Sequence, residues 1–215
     1  MTLEVVLATH NQHKVEEFQR LLSRDVPGIH VVAYDGPEPV EDGTTFTENA
    51  FIKARVAAAH TGKIALADDS GLSVDILGGA PGIFSARWAG SQHDAAANLA
   101  LLLDQLTDVH AEHRGAMFSC HIALVVPGDP GLEHVAVGEW RGELATGPRG
   151  ADGFGYDPIF VPAGDTRTAA ELSPEEKNEV SHRALAFERL VPVLRGLIST
   201  TRGRQDDATT ARRRR

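Results

Sequence analysis

The stretch Ile64-Ala65-Leu66-Ala67-Asp68-Asp69-Ser70-Gly71 constrains this chain more than any other. Four apolar residues run without a break into two adjacent carboxylates, and Ser and Gly follow at once. The pattern predicts a short buried strand that delivers its acids to a tight turn. Carboxylates held at such a point are oxygen ligands for a hard metal ion. The remainder of the chain then has to supply the scaffold for that turn and grips for whatever the acids hold.

The flanking segments alternate strand and helix signals. Val5-Val6-Leu7-Ala8 is a continuous apolar run, Thr9-His10-Asn11 a polar loop, and Val15, Phe18, Leu21 and Leu22 recur on a helical period. Thr9 and Asn11 are residue types that cap helices, and a loop entering a helix exposes unpaired N–H groups at the positive end of the dipole. With Lys14 at that point, the segment reads either as a phosphate cradle or as an ordinary capped helix with a solvated lysine. After Pro37 and Pro39, Glu41-Asp42-Gly43 leads into a helix start within Thr45 to Ala50 that runs on through Phe51 to Ala59, capped by Thr47 or Thr45, with Glu48 in its first turn. Asn49, Lys53 and Val56 share one face of it, and Gly62 ends it.

Beyond the two aspartates, Gly71, Gly78, Gly79, Pro81 and Gly82 form a loop that is neither a Walker loop nor a G-x-G-x-x-G turn. Asp94 caps an apolar helix from Ala95 to Leu106. Phe118, Cys120, Ile122, Leu124 and Val126 alternate with Ser119, His121 and Ala123, which predicts a half-buried strand. Val135, Ala136, Val137 and Trp140 provide its hairpin partner across Pro127 to Gly131. A second glycine-rich segment, Gly147 to Pro158, holds Phe154-Gly155-Tyr156-Asp157. Phe154 either stacks on a flat ring, worth about 1 to 3 kcal/mol, or joins Tyr156 in plugging the core. Ser173-Pro174-Glu175-Glu176 is a capping box. Lys177 and Ser181 lie one turn apart after it, and His182-Arg183 precede a last amphipathic helix from Ala184 to Leu197.

At 215 residues with 42% hydrophobic and 24% charged, the chain is expected to form one domain over residues 1–198. No apolar run reaches the roughly 18 to 20 residues of a membrane span, and no signal peptide is expected. One cysteine, Cys120, fits a cytoplasmic compartment. The net charge of −9 is uneven: residues 199–215 carry six arginines against Asp206 and Asp207, a balance of +4 that leaves −13 for the body. An acidic body is a poor platform for nucleic acid, but a small polyanion can still bind where a metal and a few cations face it. The arginine-rich tail, with no apolar residue but alanine, is expected to be disordered and solvated.

Ten histidines raise the question of zinc, but His10 and His13, and His110 and His113, stand outside any H-E-x-x-H arrangement and lack announced further ligands. Asp68, Asp69 and Glu41 suit Mg2+ better, which takes oxygen ligands and is commonly held by one or two carboxylates plus substrate phosphates. Ser70 is not in the G-x-S-x-G of a nucleophile elbow, and the adjacent acids do not form the Asp-x-Asp of a phosphatase.

Together and in this order, Thr9-His10-Asn11-Gln12-His13-Lys14, Thr45 to Ala50 with Lys53, Ala67 to Gly71, Gly78 to Arg87, Gly153 to Asp157, and Glu176-Lys177 with Ser181-His182-Arg183 resemble one family. The sequence is similar, from Leu3 to about Leu197, to the noncanonical purine nucleoside triphosphate pyrophosphatases that act on inosine and xanthosine triphosphates. The resemblance implies an α/β fold, a mixed twisted sheet with helices in two lobes and the nucleotide in the cleft between them, in a cytoplasmic homodimer that binds neither nucleic acid nor membrane. It implies Asp69 as general base and Mg2+ ligand, with Glu41 and Asp68 helping to hold the metal. It also implies that Thr9, His10, Asn11, Gln12, His13, Lys14, Lys53 and Lys177 grip the triphosphate. Phe154, Gly155, Tyr156, Asp157, His182 and Arg183 would enclose the purine, and Ser70 would contact the nucleotide.

Two features depart from the family pattern: His10 and His13 stand where small residues are frequent, and the tail beyond Gly203 has no counterpart. A related enzyme for pyrimidine or modified nucleotides, and a nucleotide sensor without turnover, are the rival readings. A sensor needs the lysines but not Asp69.

Overall fold

Three strands of the sheet are long enough to pass through two separately packed bodies, and the acids lie where one body gives way to the other. The computed structural model describes residues 2–213, apart from the side chains of His13, Pro130 and residues 200–213. The side chains of the arginine-rich tail, expected to be disordered and solvated, lie outside the described residues, while its backbone is helical to Arg213. In chain order the elements are β1 (Leu3–Leu7), α1 (Gln12–Asp25), β2 (Ile29–Ala33), α2 (Phe46–Thr61), β3 (Ile64–Val74), α3 (Ala95–Gln105), β4 (Gly115–Val125), β5 (Glu133–Leu144), β6 (Phe160–Pro162), α4 (Pro174–Val180) and α5 (His182–Arg213). They form a mixed six-stranded sheet in the order β2-β1-β3-β4-β5-β6. Helices cover it, as the α/β expectation required.

β1 is parallel to both β2 and β3, and the remaining pairs are antiparallel. Because β1 feeds β2 on one side while β3 docks on the other, the order reverses at β1. A crevice therefore opens at its carboxyl end, the usual ligand position in open α/β sheets. β1 pairs with β3 only from Ile64 to Leu66. Past that point β3 has lost its β1 neighbour, and Ala67, Asp68 and Asp69 border the crevice.

One core packs Phe18 and Leu22 of α1 and Phe187, Leu190 and Leu194 of α5 against Leu7, Leu66, Cys120 and Ile122. On the opposite face, Ala50, Ala54, Ala57 and Ala58 of α2 lie on Val6, Ala65, Ala67 and Ala123, small side chains that let the helix approach the sheet closely. A third core joins Leu72 and Val74 to Leu102 and Leu106 of α3, Phe118, Trp140, Leu144, Tyr156 and Phe160. These are the two expected lobes, linked by β3, β4 and β5.

Local signals agree in several places. Thr45 caps α2, Gly62 terminates it in a left-handed conformation, Asp94 caps α3, and Ser173 forms the capping box of α4. Two expectations need correction. Asp68, Asp69 and Ser70 lie within β3 rather than on a turn, because β4 pairs with them residue by residue, Asp69 opposite His121 and Ser70 opposite Cys120. β4 is not half-buried either: Ser119 is 3% exposed and Ala123 is fully buried, because both faces of the strand are covered. The last helix also begins at His182, two residues earlier than its apolar period suggests. Among the described residues no helix is long and apolar enough to cross a membrane.

Candidate active site

Successive side chains of a strand point to opposite faces, so the two adjacent aspartates serve different neighbours. Asp68 faces α1 and α5 and pairs with Lys14 at 2.6 Å. Lys14 stands in the first turn of α1 because Asn11 caps that helix, its side chain accepting from the Lys14 amide. Asp69 faces α2. Its carboxylate meets Lys53 at 3.3 Å, and Lys53 also reaches Glu41 at 3.1 Å. Asn49, one turn before Lys53 and only 1% exposed, donates to Asp69 and accepts from the Gly43 amide at 2.9 Å. The trio expected at a metal is thus split: Glu41 and Asp69 share one ammonium, and Asp68 has another.

The environments drive the two acids apart. Burial raises the Asp68 pKa, but Lys14 and Arg183 outweigh it and hold this carboxyl below its usual range. Burial likewise raises Asp69, Glu41 adds to the rise, and Lys53 does not cancel it, so Asp69 ends above its usual range. Two carboxyls separated in this way suit different roles, a fixed anion and a proton acceptor. Lys53 is desolvated too, yet the acids around it keep its pKa raised.

Thr9, His10, Lys14, Glu41, Lys53 and Asp68 line a cavity of about 140 Å³ at the end of β1. The Thr9 hydroxyl accepts from the Asn11 amide. Gln12 is exposed and lies along α1, its amide reaching Glu16 at 3.4 Å. The side chain of His13 lies outside the described residues. Among the described residues no three His, Cys, Asp or Glu side chains converge as a ready metal cage. A hard divalent cation needs less than that: Glu41 and Asp69 already converge on one positive charge, and phosphate oxygens can complete a Mg2+ shell.

A larger cavity of about 440 Å³ adjoins it, lined by Ser70, Phe118, Phe154, Lys177, His182 and Arg183 among others. Here Phe154 is 68% exposed while Tyr156 is 5% exposed, which resolves the glycine-flanked pair. Tyr156 plugs the core and donates to the Ser85 carbonyl at 2.8 Å, and Phe154 offers a free ring. Asp157, buried beneath that ring, accepts from the Phe154 amide at 2.8 Å and pairs with Lys177 at 2.6 Å. Gly153 has φ +77°, and a Cβ there would strike the Asp157 carboxylate, so this turn needs glycine. Gly155 continues it at φ +63°. The Lys177 ammonium lies 5.4 Å from the Phe154 ring centre. Lys177 therefore lines the larger cavity beside Phe154, whereas Lys14 and Lys53 line the smaller one.

His182 stacks on Phe118, the ring centres 4.9 Å apart. Burial, with Arg183 and Lys177 nearby, pushes its pKa down to about 3, so it is neutral. Arg183 pairs with Glu17 of α1 at 3.2 Å. Among the described residues three buried side-chain atoms lack a hydrogen-bond partner: Ser70 Oγ, His182 Nδ1 and Arg183 Nε. The Ser70 hydroxyl lies beside the Cys120 thiol, which is at best a weak hydrogen-bond partner. All three residues line the larger cavity. Sequence reading missed Asn49 as a partner of Asp69, as well as Glu17 and Phe118. The first carried a signal, an amide on the Lys53 face of an alanine-rich helix, whereas Glu17 and Phe118 owe their places to tertiary contacts.

An apolar cavity with an exposed ring, beside a cluster of lysines and carboxylates at a sheet's switch point, defines an α/β protein whose cleft has the shape and charge to suit a flat ring joined to an anion. The chain belongs to the Ham1 family, whose model matches residues 5–193. It is 60% identical over 195 residues to a dITP/XTP pyrophosphatase of Leifsonia xyli, covering 91% of this chain and 97% of the relative. A dITP/XTP pyrophosphatase of Streptomyces avermitilis is 52% identical, with 90% and 98% covered. The solved structure of a HAM1 protein from Coxiella burnetii superposes with a TM-score of 0.84 at 46% identity, covering 90% of this chain and 98% of that one. That of Staphylococcus aureus Ham1 gives 0.82 at 39% identity, with the same coverage.

Proposed function

We propose that this chain is a Mg2+-dependent hydrolase that cleaves noncanonical purine nucleoside triphosphates, ITP, dITP and XTP, between the α and β phosphates, giving the monophosphate and pyrophosphate. The observation that carries this reading is that the three residues with unpartnered buried polar atoms, Ser70, His182 and Arg183, all line the cavity that holds the exposed Phe154 ring. Buried polar groups are nearly always satisfied, so these await a ligand that is flat and polar at its edge. The names of the relatives support the same substrate class.

In this reading the purine stacks on Phe154, and Lys177 and Asp157 fix the ring's position. Arg183 Nε can only donate, so it matches a 6-keto oxygen and meets an unmatched donor in the adenine amino group, a mismatch that is costly when buried. The triphosphate extends past Ser70 into the smaller cavity, where Thr9, His10, Asn11 and Lys14 face it at the amino end of α1. Lys14 and Lys53 exchange their carboxylate partners for phosphate oxygens and stabilise charge on the leaving pyrophosphate. Glu41 and Asp69, with Asp68 nearby, would hold Mg2+, which when bound neutralises phosphate charge and aligns the leaving group. Asp69, with its raised pKa, takes the proton of the attacking water. Asp68 stays ionised and holds Lys14 until phosphate replaces it. Two copies of the chain are proposed to act as a homodimer.

The test is incubation with Mg2+ and ITP, dITP, XTP, GTP, ATP or dTTP, with products identified by phosphorus NMR. Pyrophosphate from ITP, dITP and XTP, with ATP and dTTP spared, is the expected outcome. Because guanine also carries a 6-keto group, GTP tests the opposite edge of the ring. Orthophosphate as product, or equal rates on ATP and ITP, would overturn the reading.

A further inference from the structure

The segment that carries Glu41 is tied to the rest of the molecule at its two ends and hardly at all between them. At its far end the Gly43 amide donates to buried Asn49 at 2.9 Å. Among the described residues, the only ion pair or hydrogen bond from residues 38–42 to other segments is the Glu41 pair with Lys53. At its near end the attachment comes from the loop after β1. His10 Nε2 lies 3.0 Å from the Gly36 carbonyl. A carbonyl only accepts, so Nε2 carries the hydrogen and donates. The His10 ring also lies parallel to Tyr34, 4° between planes and 5.8 Å between centres.

Tyr34 is itself fixed, at 4% exposure, with its hydroxyl donating to the Pro37 carbonyl at 3.1 Å. A Cβ at Gly36 would drive into the Tyr34 phenol. Only glycine can bring its carbonyl into this place. Among the described side chains of the Thr9 to Lys14 loop, His10 alone is seen to reach across to the acid-bearing segment, and both line the smaller cavity.

We infer that His10 is a positioning residue, a strap that couples the phosphate-facing loop to the segment carrying Glu41, so that the placing of Glu41 depends on the loop that holds the ligand. The inference rests on the function proposed above for the smaller cavity. It assigns His10 a role through Glu41, without contact to the reacting atoms.

His10→Ala removes the strap, and His10→Gln keeps a donor close to the same place. In the full-length protein, hydrogen exchange of the Gly43 amide, which anchors the far end of the segment on Asn49, should be about five-fold faster in His10→Ala, the factor expected for one ordinary hydrogen bond. Amides in α2 should be unchanged. The half-saturating Mg2+ concentration for pyrophosphate release from ITP should rise by about the same factor. His10→Gln should restore most of both. Unchanged exchange in His10→Ala would overturn the inference, as would faster exchange spread across α1 and β2, which marks a general packing role. If the wild-type protein releases no pyrophosphate while the exchange contrast between the two variants holds, the proposed activity fails and the strap stands.

Discussion

The smaller and larger cavities lie on either side of Asp68 to Ser70 and treat their polar atoms in opposite ways. In the smaller one both lysines are already matched: Lys14 with Asp68, and Lys53 with Glu41 and Asp69. In the larger one Ser70, His182 and Arg183 keep buried polar atoms unmatched. A ligand entering the first must exchange partners, which yields little net binding but moves charge where bonds will break. A ligand entering the second supplies partners that are missing, which yields recognition. Affinity and chemistry are thus assigned to different ends of one cleft.

Substitutions at the charged end should therefore cost turnover first. Asp69→Asn should lower kcat by about 10² to 10⁴, the range of a general base, while ITP binding measured by calorimetry stays close to wild type. Turnover that survives undiminished would remove Asp69 from that role. Lys53→Ala leaves Glu41 and Asp69 facing each other without their cation, and should destabilise the free protein by about 3 kcal/mol in thermal unfolding. Added Mg2+ should then raise its Tm more than it raises that of wild type. An equal gain would mean that these carboxylates do not share a divalent ion.

At the recognition end the expected effects are smaller and differ in sign. His182 titrates at about 3 when folded and near 6.5 when unfolded. Its pKa is depressed on folding, so the unfolded chain binds the extra proton, and the contribution is complete above the unfolded value and is lost as pH falls from about 6.5 towards 3. By pH 4 the loss should approach about 3 kcal/mol, and His182→Phe should flatten that slope in denaturant melts at stepped pH. The smallest effect is expected from Ser70→Ala. Removing an unpartnered buried hydroxyl should leave the free protein as stable as wild type or more stable by up to about 1 kcal/mol, while weakening ITP binding about five-fold. Lower stability of the free variant would show that Ser70 already has a partner.

Much of this division was legible in the sequence, because capping residues, lysines and glycine turns act locally. Asn11, Thr45, Gly62 and Ser173 perform the cap and stop functions their types suggest. What failed was non-local. Asp69-Ser70-Gly71 has the composition of a turn, yet ten residues of β4 pair alongside and carry β3 straight through it. The same pairing placed His121 beside Asp69, where its ring meets the Thr47 hydroxyl at 2.7 Å. No spacing within residues 64–71 could announce that. Phe154 and Tyr156 are alike in sequence, and only the Ser85 carbonyl waiting below the turn decides which ring goes inward.

The passage of β3 through the acids also fixes a count. Leu66 belongs to the first body and Leu72 to the second, and both must keep facing inward. Five residues separate them, and the pleat assigns Asp68 to Lys14 and Asp69 to Lys53. Adding one residue there would turn each carboxylate towards the other's lysine or push Leu72 to the wrong side of the sheet. Loops elsewhere can lengthen freely, but this interval acts as a fixed gear ratio between the two halves of the molecule.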